Sequence, residues 1–369
     1  MAPAASENDK AFMQGALSLA ARGLGDVWPN PAVGCVIVKD GVIVGRGWTQ
    51  SGGRPHGETE ALRRAGEAAK GADVFVTLEP CSHHGKTPPC SEALISAGVA
   101  RVVAATIDSN PKVSGAGLKN LQDAGIKVET GLCETEARKL NAGFFLSVEQ
   151  KRPLFTLKCA STLDGRIALK SGESKWITGE AARGAAHVLR SRFDAILVGS
   201  GTVLADDPEL TCRMPGYAGR PKVRLVLDRR GRTPEIAKII ATARDIPTWI
   251  ITVKGADCAH LAAKGAEIIT VEAGKNDAEF AANAARELAN RGLTRVMIEG
   301  GGTVAAAFLG ADLVDEIAWF RAPGVIGGDG TPVLGNLNLG KIADMARFKA
   351  RDSLVFGADM LDFLDRAPR

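Results

Sequence analysis

Short apolar runs and helical stretches alternate from one end of this chain to the other, with Gly or Pro at most junctions. That alternation is the signature of an α/β protein. The pattern predicts a helix over Ala11–Arg22 and a hairpin of Gly34–Lys39 and Val42–Gly47 turned at Asp40-Gly41. A helix over Glu58–Ala65 ends near Gly66, and Val74–Leu78 reads as a buried strand. Ser91–Ala97 reads as a helix between Pro88-Pro89 and Gly98, followed by a strand over Val99–Thr106 and a helix over Leu118–Ala124 that closes at Gly125. The 369 residues are enough for two domains at about 150 residues each. The charged run Glu149–Pro153, after Asn141–Leu146, marks the boundary, so the expected domains are 1–147 and 152–369. The second continues with strands Leu154–Cys159, Ala195–Val198, Val223–Leu227, Thr248–Thr252 and Val296–Ile298, and with helices Glu180–Arg192 and Phe280–Ala289.

Charge and composition exclude several classes. Aromatic residues are only 5%, with a single tyrosine, which disfavours a protein that stacks many single-stranded bases. The formal net charge of +4 is too small for a nucleic-acid or polybasic membrane partner. Residues 1–150 carry a net of −1 and residues 151–369 a net of +5, so an anionic cofactor suits the second half better. Met1–Lys10 has neither a basic nor an apolar segment of a secretory signal, and no run approaches the ~18 apolar residues of a membrane helix. A cytoplasmic location is expected; a homo-oligomer is allowed. The seven scattered Cys suit metal ligation or burial better than disulfides.

Three segments of the first half carry chemistry: His56-Gly57-Glu58, Pro80-Cys81 and Cys90. One His and two Cys supply three ligands suited to Zn²⁺ and leave a fourth position open for water, which marks a catalytic rather than a structural site. Cys90 opens a helix, whose N–H groups favour a thiolate. Glu58 lies two residues from His56, close enough to act as general acid/base without ligating the metal. The pattern is H-x-E…P-C-x-x-C, the zinc deaminase signature, with eight residues instead of two between the Cys. His83 and His84 inside that loop are rival ligands.

With Asn30-Pro31-Ala32-Val33-Gly34 and Asn110–Gly117 (NPKVSGAG), these segments resemble the family of bifunctional riboflavin-biosynthesis deaminase/reductases. The long loop between the Cys is a hallmark of that family. Two departures stand out: Gly57 where the family has Ala, and Asp108-Ser109-Asn110 where it has Asp-Pro-Asn. Neither touches a ligand. The resemblance implies a cytidine-deaminase-like α/β/α first domain, with Asn30 and Lys86 holding the substrate ring or its phosphate.

The second half resembles the same family's reductase domain, of dihydrofolate-reductase-like fold. The matching segments are Lys158–Gly165, Ser174–Gly179, Gly201–Arg213 and Glu299–Thr303, colinear with the first half. The resemblance implies NADPH contacts at Ala160, Trp176, Thr202 and Asp206. It also implies substrate contacts at Ser174, Arg190, Leu210, Arg213 and Glu299; Asp164 fits a structural turn. The residues themselves support a dinucleotide. Strand Val296–Ile298 ends in Glu299 and Gly300-Gly301-Gly302-Thr303 before an apolar helix from Val304, and Gly199–Thr202 forms a second glycine-rich strand end. Such ends let backbone N–H groups approach a pyrophosphate. Arg229, Arg230 and Arg232 follow Asp228 at a strand end, where an arginine could read the NADPH 2′-phosphate, with Arg229 first; a solvated basic turn is the alternative.

The expected function is therefore bifunctional. Zn²⁺-dependent hydrolytic deamination of a phosphorylated diaminopyrimidine would be followed by NADPH reduction of its ribosyl chain. A tRNA-editing type of deaminase would need a basic, aromatic-rich first half. A non-catalytic zinc and dinucleotide binder would lack a ligand or the Glu.

Overall fold

The computed structural model describes residues 7–85, 88–111 and 113–367. The chain forms two compact units, Met1–Lys151 and Arg152–Arg369.

The first unit is built on strands β1 (Gly34–Lys39), β2 (Val42–Trp48), β3 (Asp73–Val76), β4 (Arg101–Ala104) and β5 (Lys127–Thr130), in the order β2-β1-β3-β4-β5. β1 is antiparallel to β2 and β3; β3, β4 and β5 are parallel. The β1–β2 turn needs two left-handed residues, and Asp40 and Gly41 supply φ of 50° and 77°. The helices are α1 (Glu7–Ala20), α2 (Gly57–Ala65), α3 (Cys90–Ser96), α4 (Ala116–Asp123), α5 (Glu134–Leu140) and α6 (Ala142–Glu149). Strand residues alternate between two cores. Cys35, Ile37, Val74, Val76, Val102 and Ala104 pack against α2, α3, α4 and α6. Val36, Val38, Phe75 and Val103 pack against Met13 and Ala16 of α1 and Ala137 of α5. The result is the expected α/β/α sandwich. The unit runs past residue 147 because α6, anchored in the core by Phe144 and Phe145, continues to Glu149.

The second unit contains β6 (Leu154–Ser161), β7 (Arg166–Ala168), α7 (Glu180–Ser191), β8 (Ala195–Gly199), α8 (Ser200–Asp206), β9 (Val223–Leu227), α9 (Lys238–Ala241), β10 (Thr248–Val253), α10 (Ala259–Ala263) and β11 (Glu267–Val271). It continues with α11 (Asp277–Asn290), β12 (Arg295–Ile298), α12 (Gly302–Gly310), β13 (Val314–Arg321), β14 (Thr331–Pro332), β15 (Phe348–Phe356) and β16 (Asp359–Arg366). Nine strands form one sheet, β11-β10-β9-β8-β12-β6-β13-β16-β15. From β11 to β13 all pairings are parallel, and β16 and β15 extend the sheet antiparallel. Parallel strands covered on both faces read as unbroken apolar runs, and β8 is buried at every position. β12 returns between β6 and β8, which brings the carboxyl ends of β6, β12 and β8 side by side. Among the described residues no helix is long and apolar enough to cross a membrane.

Candidate functional site

In the first unit His56 is the residue just before α2, Glu58 lies in the first turn of α2, and Cys90 is the first residue of α3. Cys81 follows the carboxyl end of β3. Gly47 in β2 brings α2 down close: a Cβ there would lie 2.1 Å from the Gly57 carbonyl oxygen. His56 Nδ1 lies 3.5 Å from Cys81 Sγ and 3.4 Å from Cys90 Sγ. The three donor atoms fall within 4.8 Å of one another, the only such group among the described residues. The rivals are elsewhere on the surface: His84 Nε2 lies 3.4 Å from Glu92, and both His83 and His84 are exposed.

The electrostatics suit a cation. The Cys81 thiol is held well below its ordinary value by the Cys90 thiol and by His56, and it also accepts the Cys90 N–H at 3.3 Å. Cys90 is pushed up by the neighbouring Cys81 sulfur and by burial. The helix starts of α2 and α3 add two positive dipole ends. Glu58 is 2% exposed, and its Oε2 finds no hydrogen-bond partner among the described residues. Burial raises its pKa to about 7. An orphaned buried carboxylate oxygen beside a His/Cys/Cys donor set fits a catalytic Zn²⁺.

Asn30 stands near this site: its Nδ2 would lie 1.9 Å from a Cβ on Gly53, in the turn that leads to His56. Lys86 lies outside the described residues. Asp108, which the sequence marked only as part of a departing motif, is a buried residue after β4 whose carboxyl is pushed up to about 6 by burial and by Glu79. Its signal was an acid just beyond a buried strand.

In the second unit the strand ends form the other site. Gly301 N donates to Thr202 Oγ1 at 3.1 Å, which joins the start of α12 to α8. A Cβ on Gly300 would lie 3.2 Å from Gly199 N, and one on Gly302 would lie 2.9 Å from Gly335 N. Two glycine-lined strand ends, side by side and each leading into a helix, form a cradle that fits a dinucleotide pyrophosphate. Gly301 and Thr202 meet there, Gly302 and Thr303 open α12, and Asp206 is exposed at the end of α8. Ala160 lies near the end of β6, opposite Phe320. Trp176 is 70% exposed with the Arg183 guanidinium 4.4 Å from its ring, and Ser174 lies two residues before it, half-buried.

Arg190 and Glu299 are brought together as partners. Arg190 Nε and Nη2 donate to the two Glu299 carboxylate oxygens at 2.6 and 2.8 Å. Arg213 is nearby but exposed, with Nη1 2.8 Å from Glu209. Two titratable residues here were not singled out from the sequence as site residues: Lys158 in β6 and His187 in α7, both close enough to act electrostatically on Glu299. Leu210 is 3% exposed in the core, with φ of 52°, so it has main-chain atoms rather than a side chain to offer a ligand.

In the basic turn the arginines make different contacts. Arg229 is committed elsewhere: Nη1 bonds Asp277 at 2.7 Å, Nη2 the Ala273 carbonyl at 3.0 Å, and the guanidinium lies over Phe280. Asp228 closes its own turn by accepting from Thr233 N–H and Oγ1–H. Arg232 instead reaches the start of α8, donating to Ser200 Oγ at 3.1 Å. Asp164 is a turn residue, bonded to Thr162, Ile326 N and Gly327 N.

Known proteins match the two sites in the same order. Residues 6–106 match the cytidine and deoxycytidylate deaminase zinc-binding region, and residues 153–361 match the RibD C-terminal domain. The riboflavin biosynthesis protein RibD of Aquifex aeolicus is 43% identical over 98% of this chain and 99% of its own. That of Escherichia coli is 42% identical over 95% and 98%. Among solved structures, Acinetobacter baumannii RibD superposes with a TM-score of 0.88 at 39% identity, over 98% of this chain and 99% of that one. A Thermotoga maritima diaminohydroxyphosphoribosylaminopyrimidine deaminase/5-amino-6-(5-phosphoribosylamino)uracil reductase gives a TM-score of 0.85 at 36% identity, with the same coverage. The chain belongs to the RibD family of bifunctional riboflavin biosynthesis enzymes, with a zinc deaminase unit followed by an NADPH-dependent reductase unit.

Proposed function

We propose that the first unit removes the C2 amino group of 2,5-diamino-6-ribosylamino-4(3H)-pyrimidinone 5′-phosphate, and that the second reduces the ribosyl chain of the product to give 5-amino-6-ribitylamino-uracil 5′-phosphate. The observation that carries this reading is the buried, unpartnered Glu58 Oε2 beside His56, Cys81 and Cys90. Those three residues hold Zn²⁺, which when bound supplies Lewis acidity that makes water nucleophilic near neutral pH. Glu58 moves the protons: with a pKa of about 7 it accepts one from the attacking water and returns it to the departing amine. The ring gains an oxygen and ammonia leaves. Asn30 and Lys86 orient the pyrimidine and its phosphate.

In the second unit Thr202, Gly301, Gly302 and Thr303 cradle the NADPH pyrophosphate, Ala160, Trp176 and Asp206 line the rest of its groove, and Arg232 takes the 2′-phosphate in place of Arg229. NADPH supplies the hydride, and the protein orients it. Arg213 meets the substrate phosphate, Ser174 and the Leu210 main chain flank it, and the Arg190–Glu299 pair fixes the substrate's polar edge. Weak net charge and few aromatics favour such a small phosphorylated substrate over nucleic acid or membrane, in the cytoplasm. The test is to follow ammonia release and NADPH oxidation together on the diaminopyrimidine phosphate. Equimolar release and oxidation, with ammonia leading, is expected. Oxidation without ammonia would contradict the order of steps, and neither product would contradict the substrate.

A further inference from the structure

Three consecutive residues of the β8–β9 connection are clipped to α7. Arg190 Nη1 donates to the Thr211 carbonyl at 2.7 Å, Cys212 Sγ to the His187 carbonyl at 3.2 Å, and Arg213 N–H to His187 Nδ1 at 3.2 Å. His187 and Arg190 stand three apart on α7, hence on one face. The segment they hold carries Arg213 at its end, and Arg190 continues into Glu299 at the end of β12.

We infer that His187 is a positioning residue for the reductase: its unprotonated Nδ1 holds the main chain of Arg213 in the place where that arginine meets the substrate phosphate, and protonation of the ring releases it. This rests on the phosphate role proposed above for Arg213. The ring is faced by Arg190 from its own helix, by Arg213 and the Thr211 carbonyl from the β8–β9 connection, and by Glu299 from the end of β12. Burial and the two guanidiniums disfavour a charged imidazole, Glu299 and the Thr211 carbonyl favour it, and the balance lowers its pKa. At neutral pH the ring is therefore neutral. With Nδ1 accepting from Arg213, the remaining proton sits on Nε2. On acidification Nδ1 gains a hydrogen that faces the Arg213 N–H, and two donors cannot bond.

The test measures KM and kcat of the full, zinc-loaded chain for the deaminated phosphate and NADPH, over about pH 5 to about pH 8.5. The variants are His187→Leu, His187→Gln and Arg213→Ala. Leu removes the acceptor, whereas Gln offers an amide oxygen that does not titrate. The Leu variant should raise KM about two- to tenfold at the alkaline end with kcat nearly unchanged, the scale of one net hydrogen bond. The Gln variant should match the wild type at about pH 8 and lack the extra KM rise that the wild type shows on acidification below the ordinary histidine range. Titration of the substrate phosphate is common to both and cancels in their ratio. Identical KM profiles for wild type and Gln overturn the inference. So does an unchanged KM in the Leu variant when Arg213→Ala raises it. An unchanged KM in Arg213→Ala overturns the phosphate role itself, and the inference with it.

Discussion

At Glu299 two forces oppose each other. Burial favours the neutral acid, and the Arg190 guanidinium, bonded through two nitrogens, favours the charge; the charge wins and the pKa falls to about 2. The folded value lies below the unfolded one of about 4.5, so the pair stabilises the reductase unit above that pH and the contribution is lost as pH falls toward about 2. Glu299→Gln leaves Arg190 charged and half-paired. It should cost about 3–5 kcal/mol at neutral pH in denaturant unfolding, with the gap to wild type closing through that acid window. A gap that ignores pH would contradict the ion pair. The basic turn is the second residue-scale case. Arg232→Ala should weaken NADPH binding about ten- to a hundredfold and leave NADH nearly unchanged, whereas Arg229→Ala should not discriminate between them. Titration of each variant with both cofactors decides it, and equal losses for the two cofactors in Arg232→Ala would remove the phosphate role. The sequence showed three arginines after Asp228 but not which one was occupied. Arg229 finds Asp277 far along the chain, on a helix that only the fold brings near.

Among elements, the start of α4 supports the metal site from behind. The buried Glu79 carboxylate accepts the backbone N–H groups of Asp108, Gly115, Gly117 and Leu118 at 2.8 to 3.4 Å. A carboxylate is well placed there, at a helix N-terminus. Gly117 lets α4 approach so closely that a Cβ would lie 1.9 Å from the Pro80 carbonyl oxygen, one residue before Cys81. Gly117→Ala should therefore displace Cys81 and weaken zinc retention by roughly 10–100-fold, the scale of outer-shell changes. Gly15→Ala, whose Cβ would meet only Val36 at 3.9 Å, should retain zinc like the wild type. Competition with a chelator measures both, and wild-type retention in Gly117→Ala would show that this packing does not set Cys81. The first hairpin and β8 were legible because Asp40-Gly41 and an unbroken apolar run leave few alternatives. β15 and β16 were not. β15 forms the exposed rim of the sheet and β16 lies half-buried beside it, and charged residues such as Lys349, Arg351 and Asp352 in β15 and Asp362 and Asp365 in β16 dilute the apolar signal. β5 has only Val128 as an apolar residue among Lys127, Glu129 and Thr130, so no apolar run marks it.

On the scale of the whole molecule, each unit holds its own donors: His56, Cys81, Cys90 and Glu58 in the first, the glycine-lined strand ends and the Arg190–Glu299 pair in the second. The grouping of His56, Cys81 and Cys90 was legible in sequence as a motif, with His56 and Glu58 two apart at the start of α2 and Cys90 first in α3. The partnership of Arg190 with Glu299 was not, since 109 residues separate the two. The most direct test is Glu58→Gln, assayed on two substrates. The variant should keep its zinc, because Glu58 is not among the three donors, and should lose ammonia release from the diaminopyrimidine phosphate by about 10²–10⁴-fold. NADPH oxidation should fall by the same factor with that substrate and run at the wild-type rate with the deaminated one. Wild-type ammonia release by Glu58→Gln, or NADPH oxidation from the diamino substrate without ammonia, would contradict the account.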